Sequence, residues 1–247
     1  MPRVTDKDAI RAILRRDPAW CVYALGDLSP EMFPKTEWFT PDLSMVLKDY
    51  GTSILFAMGG GSVTEALDAV TWPVHLQVRD DVLETIAQHA RVEETREMWR
   101  MIWTGERALQ ENDRASRLGD SDVHALQRLF ADGEESGESP DFFYPAMVSG
   151  GVFFGVYEQG QLVAAAGTHL VSRDEGAAAL GNIYTRRDRR GRGLGRVTTT
   201  AVMRELTSLE TVGLNVRADN SAALSLYESL GFQRHCRFYE AIALAKK

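Results

Sequence analysis

Six arginines fall within the eleven residues Arg186–Arg196, with Asp188 as the one acid among them and glycines at 191, 193 and 195. The stretch before them, Ala177–Thr185, reads as a strand, and the stretch from about Gly195 to Leu209 reads as a helix. Strand, glycine-rich turn and helix start in direct succession make an anion cradle. The first turn of a helix carries N–H groups without internal partners, and the aligned peptide dipoles add partial positive charge there. A pyrophosphate at that end satisfies both. Glycines permit left-handed backbone and remove the Cβ atoms that would crowd the anion. Flanking arginines can add forked hydrogen bonds. No lysine follows in the position a P-loop needs, and the Gly191-x-Gly193-x-Gly195 spacing is not that of a dinucleotide fingerprint.

A second motif follows, Asn220-Ser-Ala-Ala223-Leu-Ser-Leu226-Tyr227-Glu-Ser-Leu-Gly231-Phe232. Together, Arg190-x-x-Gly193-x-Gly195 and Asn-x-x-Ala-x-x-Leu-Tyr with a trailing Gly-Phe resemble the GNAT superfamily of acyl-CoA-dependent N-acetyltransferases. The motifs cover about 150–235, and by domain extent about 115–245. The resemblance implies an α+β protein with a C-terminal GNAT fold, in which helices flank a mixed, mostly antiparallel sheet. It implies acetyl-CoA as co-substrate, no metal, and direct transfer of the acetyl group to a primary amine of a small molecule or amino acid. One departure is Arg187, where the family often has a proline, and it implies a less rigid start to the loop.

Carried over residue by residue, the resemblance gives Ile183, Tyr184 and Thr185 a backbone role along the pantetheine arm. Arg190, Gly191, Arg192, Gly193, Leu194, Gly195 and Arg196 surround the pyrophosphate. Asn220 bonds the cofactor near its pantetheine and also suits a helix N-cap. Tyr227 matches the tyrosine that protonates the leaving thiolate, and it also suits core packing beside Leu226 and Leu230. The strand glutamate that often serves as base is missing; that strand offers Asn182 and Tyr184. His169, on the neighbouring strand, is the titratable candidate and could take a proton near neutral pH. Its alternative is a hydrogen-bonded interior histidine. Asn182 could orient an acceptor or a water. Asp174 and Glu175 are expected to be solvated in a turn. Phe142-Phe143-Tyr144-Pro145 either lines the acceptor pocket or joins the core.

The elements that must position these residues follow from periodicity and punctuation. Val152–Tyr157 and Leu162–Val171 read as strands around the turn Glu158-Gln159-Gly160. Asp120–Phe130 has helical spacing of Val123, Leu126, Leu129 and Phe130. Phe142–Val148 reads as a short helix, Val212–Val216 as a strand, Ser221–Leu230 as a helix, and a pair of strand-like pieces runs on through Leu244. Ahead of the polar segment Thr104–Arg114, an opening helix capped by Thr5 or Asp6 precedes a proline-punctuated stretch. Strands at Leu43–Leu47 and Ser53–Met58 join through Asp49-Tyr50-Gly51. Then come Gly59-Gly60-Gly61, a helix at Val63–Val70, a strand at Val74–Val78, a helix at Asp81–His89 and a strand near Met98–Trp103.

The two halves thus share an order of parts. The expected domains are 1–105, a degenerate GNAT-like α+β domain; 106–114, a linker; and 115–247, the catalytic domain. This arrangement resembles two-domain GNAT members of the glycine N-acyltransferase-like branch, whose first domain is a decayed copy. The glycine triplet at 59–61 has no accompanying arginine, so the first half is not expected to hold coenzyme A.

The 247 residues, 44% apolar and 26% charged, are enough for a buried core. The net charge of −7 disfavours a broad nucleic-acid face and confines the positive charge to one segment. No run reaches the length of a membrane span, and the first residues do not read as a secretion signal. Cys21 and Cys236 show neither metal spacing nor a disulfide framework, so a reducing cytoplasm is the expected compartment. The expected partners are a small-molecule amine, no nucleic acid and no membrane, in a monomer or homodimer. Two other readings are a non-catalytic acyl-CoA-binding regulatory module and a protein amine acetyltransferase.

Overall fold

Asp6 starts the first helix by accepting hydrogen bonds from the N–H groups of Asp8 and Ala9 at 3.0 and 3.2 Å, while Ile10 and Leu14 turn inward. The computed structural model describes residues 3–49, 51–110, 112–140 and 142–247. In chain order the elements are β1 (Arg3–Val4), α1 (Lys7–Leu14), α2 (Val22–Gly26), β2 (Thr36–Phe39), β3 (Ser44–Asp49), β4 (Thr52–Ala57), α3 (Val63–Ala69), β5 (Val74–Val78), α4 (Asp80–His89) and β6 (Ala90–Trp103). There follow β7 (Ser116–Arg117), α5 (Val123–Ala131), α6 (Ala146–Gly150), β8 (Phe154–Glu158), β9 (Gln161–Ser172) and β10 (Ala177–Thr185). The last elements are α7 (Leu194–Leu206), β11 (Thr211–Arg217), α8 (Ser221–Ser229) and β12 (Phe232–Lys246).

The chain divides into two units. The first holds residues up to Arg100 together with Val216–Asn220 and Arg234–Lys247; the second holds Met101–Asn215 and Ser221–Gln233. Residues 234–247 therefore group with the first unit, although motif extent counted them with the second domain. The reason is pairing: Tyr239–Ala243 of β12 lie antiparallel to Val74–Val78 of β5. Of the expected linker and hairpin joint, Glu111 and Tyr50 lie outside the described residues.

In the first unit the strand order is β1-β2-β3-β4-β5-β12-β6, with β4 and β5 parallel. Val46, Leu55, Leu76, Val63, Leu67, Val82 and Ile86 form its core, which buries the inner faces of α3 and α4. In the second unit the order is β11-β10-β9-β8-β7, antiparallel except for β10 with β11. Each unit thus runs through an antiparallel hairpin, a glycine-containing turn, a helix and a parallel strand.

Helices cover both faces of the second sheet. On one side Leu194 and Val197 of α7 pack on Val156, Val163 and Ala164. On the other, Leu126, Leu129 and Phe130 of α5 pack with Phe153, Leu162 and Tyr184. The alanines at 164–166 are buried, as the interior of a strand covered on both faces requires. Full burial of a leucine such as Leu126 contributes about 1.5–3 kcal/mol.

Several boundaries differ from the sequence reading, among them the following four. β6 begins at Ala90, eight residues before Met98. The two final strand-like pieces are one 15-residue strand, β12, whose Tyr239–Ala243 part pairs with β5. α7 stops at Leu206. α6 starts only after Pro145, whose ring disfavours helix at the residue before it.

Candidate active site

The turn between β10 and α7 is built as a cradle. Gly191 and Gly193 take φ of 76° and 73°, in the left-handed region where a Cβ is costly. A Cβ on either would meet nothing within 4 Å, so space stands open over both. Gly193 is the N-cap of α7, and no side chain caps the helix. The first-turn amides of Leu194, Gly195 and Arg196 are thus left for an outside acceptor. Gly195 brings three elements together: a Cβ there would lie 3.5 Å from both Thr185 Oγ1 of β10 and Leu226 Cδ2 of α8. Tyr227 therefore sits on a helix packed against the cradle.

The strand leading into the cradle is opened on both edges. Its parallel ladder with β11 runs from Ala177↔Thr211 to Leu180↔Leu214 and goes no further. Its antiparallel ladder with β9 breaks between Gly181 and Tyr184, where Asn182 has φ of 53°. The break is a bulge that re-aims the backbone of Asn182 and Ile183. An extended chain laid beside Gly181–Thr185 would find amide and carbonyl groups there. Thr185 offers less than expected, because its carbonyl accepts from Arg190 Nε at 3.1 Å.

The arginines do not form a free positive patch. Arg190 donates through both terminal nitrogens to Glu138, at 2.9 and 3.2 Å. Arg186 pairs with Asp188 and Gln161. Arg189 and Arg192 lie 3.6 and 3.7 Å from Glu158. Arg196 donates to Ser229 Oγ. In this structure acidic side chains thus face Arg186, Arg189, Arg190 and Arg192, while Arg196 is held by a serine. The expectation for Arg187 is corrected. Its N–H and its Nη2 both donate to Asp132, at 3.0 Å each, so the loop is pinned where a proline would have stiffened it.

Tyr227 is 7% exposed, and its ring meets Phe232 edge-on at 6.0 Å. Burial raises its pKa above the ordinary phenol value, so the hydroxyl keeps its proton across the neutral range. Tyr184 points the other way. Its hydroxyl donates to Asp132 Oδ2 at 2.9 Å, its ring packs in the α5 core, and Arg190 stacks over it at 5.5 Å. Only its backbone is placed for a ligand. Asn220 is exposed just ahead of α8 and donates its N–H to the carbonyl of Arg217.

His169 packs its ring on the strand backbone at Gly181, where any Cβ would collide with it. Although the residue keeps some exposed surface, dehydration of the ring cation by burial pushes its pKa down to about 4. Titration near neutrality is therefore corrected: the imidazole is neutral at pH 7. Asn182, the residue after Gly181, is 3% exposed. Its Nδ2 lies 3.7 Å from Met147 Sδ, and its Oδ1 is buried without a partner. A buried carbonyl oxygen left unpaired at a bulge invites a donor. Glu175, expected to be solvated, is 4% exposed in the turn after β9. Phe143 packs edge-on against Phe130 and Phe153, at 5.0 and 6.2 Å, and so belongs to the core.

Residues 121–232 match the sequence model of the acetyltransferase (GNAT) family. A GNAT acetyltransferase domain occupies this region. A mycothiol acetyltransferase of Tsukamurella paurometabola is 40% identical over 76 residues, 29% of this chain and 26% of its own. A ribosomal protein bS18 alanine N-acetyltransferase of Escherichia coli is 42% identical over 81 residues, 32% of this chain and 53% of its own. The chain thus spans about a fifth to a half of the curated relatives it matches. A crystal structure of a GNAT-family acetyltransferase from Novosphingobium aromaticivorans superposes with a TM-score of 0.66 at 21% identity, over 92% of this chain and 96% of that one. That likeness establishes the fold.

Within the GNAT domain, motif reading found the cradle but missed Asp132 and Glu138, the carboxylates that organise it. Their signal was present: the acidic segment from Asp132 to Glu138 carries charges opposite to those of the arginine run. No helix among the described residues is long and apolar enough to cross a membrane.

Proposed function

We propose that this protein transfers the acetyl group of acetyl-CoA directly to a primary amine of a small molecule or amino acid. The observation that carries the reading is the uncapped start of α7 behind left-handed Gly193, beside a β10 edge whose ladder to β11 has ended. A diphosphate fits the amides of Gly191–Arg196, and a pantetheine arm fits the backbone of Asn182–Thr185. Bound acetyl-CoA supplies the thioester carbonyl and a thiolate leaving group.

The chain's residues then have these roles. The bulge at Asn182 orients the acceptor, with Oδ1 taking a hydrogen bond from the amine or a water. A neutral amine forms the new N–C bond as the C–S bond breaks. Tyr227 gives its proton to the departing sulfur. The proton lost by the amine leaves through water to bulk solvent, since burial makes the His169 imidazole too weak a base to hold it near pH 7. Asn220 supports the pantetheine.

The same reading makes 115–247 the catalytic domain, with its last residues, 234–247, grouped with the first unit, 106–114 the linker and 1–105 a degenerate copy, in the two-domain, glycine N-acyltransferase-like arrangement. It places the protein in the cytoplasm as a monomer or homodimer; its two free cysteines support that compartment. The alternative of a protein amine as acceptor is favoured by the likeness to the ribosomal protein acetyltransferase, which extends over half of that relative. Isothermal titration with acetyl-CoA, followed by thiol release against a panel of amines and N-terminal peptides, tests the proposal. Failure of acetyl-CoA to bind removes it. Binding without turnover on any amine leaves a regulatory acyl-CoA module instead.

A further inference from the structure

Asp132 caps the end of α5 and meets the exit of β10 at two places. Its Oδ2 accepts from the Tyr184 hydroxyl at 2.9 Å and from the Arg187 N–H at 3.0 Å, so one oxygen takes both donors. Its own carbonyl accepts from Arg187 Nη2 at 3.0 Å. That carbonyl stands at the end of a helix, where carbonyls lack internal partners and a cation is favoured. Tyr184 is 4% exposed, and its ring belongs to the core that Leu126, Leu129 and Phe130 of α5 build. The carboxylate is therefore anchored to a packed part of the second unit.

The chain it holds needs such an anchor. Arg187 is the first residue of a short 3-10 turn, Arg187–Arg189, that carries the backbone from β10 to the glycines. The Arg190 N–H closes this turn on the Arg187 carbonyl at 3.4 Å, which is long for a hydrogen bond. Gly191 and Gly193 then take left-handed backbone, and glycine restrains its own dihedrals least of all residues. The turn thus has little internal stiffness. Its entry is fixed from outside: the Arg186 N–H donates to the Val163 carbonyl at 2.9 Å, and the next backbone donor, Arg187, goes to Asp132. Gly133 lets the chain leave Asp132 at close quarters, since a Cβ there would lie 2.7 Å from the Ser139 nitrogen and 2.9 Å from Tyr184 Cε2.

We propose that Asp132 is a positioning residue for acetyl-CoA, which fixes the start of the turn so that the amides of Gly191–Arg196 converge on the diphosphate. The inference rests on the transferase reading and adds a residue to it. Asp132 acts through the Arg187 backbone and takes no part in the chemistry. Its negative charge opposes an anionic ligand, so its contribution to binding is geometric. Two consequences follow from the bonds. An asparagine carbonyl can accept both donors as Oδ2 does, so the neutral isostere keeps the role. A proline at 187 removes the need for it. Arg186 has φ of −49° and ψ of 135°, the extended backbone that precedes a proline, and the first position of a helical turn suits the ring's fixed φ.

The test is calorimetric titration of the full-length protein with acetyl-CoA, together with steady-state kinetics on an amine that the wild type acetylates. Asp132→Ala should weaken acetyl-CoA binding about tenfold or more, as the loss of two hydrogen bonds to one acceptor allows. Its KM for acetyl-CoA should rise in step while kcat stays within about twofold. Asp132→Asn should bind within about threefold of wild type, and so should Arg187→Pro. In the Arg187→Pro background, Asp132→Ala should cost less than about threefold. Thermal melting reports folding, and Asp132→Ser, too short to reach either donor, repeats the comparison if the alanine variant unfolds. Wild-type affinity in Asp132→Ala overturns the proposal. So does an asparagine variant as weak as the alanine one, or a full loss that persists in the proline background. Failure of the wild type to bind acetyl-CoA removes the transferase reading and this inference together, whereas wild-type binding that Asp132→Ala leaves untouched removes this inference alone.

Discussion

Glu138 holds Arg190 by two parallel hydrogen bonds, Oε1 to Nη1 at 2.9 Å and Oε2 to Nη2 at 3.2 Å, directly beside the open amides of the cradle. Ser136 adds a third bond to the same carboxylate at 2.9 Å. A diphosphate arriving at Gly191–Arg196 meets an arginine already occupied and a negative charge close by. Glu138→Gln is expected to strengthen acetyl-CoA binding by up to about fivefold, since an exposed pair of this kind is worth about 0–1 kcal/mol. Arg190 beside Glu138 holds the carboxyl below the ordinary glutamate range, so the pair persists above that range and is lost only in acid. Calorimetric affinity for acetyl-CoA at pH 7 is the measurement, and weaker binding by the glutamine variant would show that Glu138 orders the arginine for the ligand.

Tyr227→Phe removes an acidic hydrogen and leaves the ring contact with Phe232 in place. The expected outcome is a fall in kcat of about 10²-fold or more with KM for acetyl-CoA little changed. Because burial raises the phenol's pKa, the wild-type rate should show no loss from Tyr227 ionisation up to pH 10. Unchanged kcat in the phenylalanine variant would remove Tyr227 from the chemistry.

Protonation of His169 should couple to folding. The unfolded chain takes the proton near pH 6.5 and the folded one only near pH 4, because burial lowers the pKa to about 4. Between those values the unfolded state binds more protons, so stability rises with pH across the window and is lost as pH falls through it. The linkage is of order 2 kcal/mol once the ring's partial exposure is allowed for. Thermal melts of wild type and His169→Gln from pH 7 to pH 4 are expected to converge toward the acid end. Parallel melting curves would place the histidine in water.

Gly193→Ala introduces a Cβ at φ of 73°, in space that no protein atom occupies within 4 Å. The left-handed conformation costs about 1 kcal/mol of stability. The Cβ also fills volume assigned here to the diphosphate, so acetyl-CoA affinity should drop at least tenfold. Denaturant unfolding and calorimetry separate the two effects, and a stability loss with full affinity would move the anion elsewhere.

Short-range rules in the sequence determined most of the elements. A continuous apolar run after the turn at Ser172–Gly176 placed β10 at Ala177–Thr185, and the strand, glycine turn and helix order placed the cradle at Gly191–Gly195. The Asn220 to Phe232 motif pointed to Tyr227. These features are legible because each depends on residues within about one helix turn or strand of one another. Charge pairing across sequence was not legible. Asp132 with Arg187 and Glu138 with Arg190 are 55 and 52 residues apart, and only the tertiary structure brought these carboxylates to the arginine run. Burial decided the rest. It made His169 neutral, left Asn182 Oδ1 without a partner, and drew the final strand into the first unit's sheet. Dehydration and long-range strand pairing depend on what surrounds a residue in space, which no local pattern of side chains encodes.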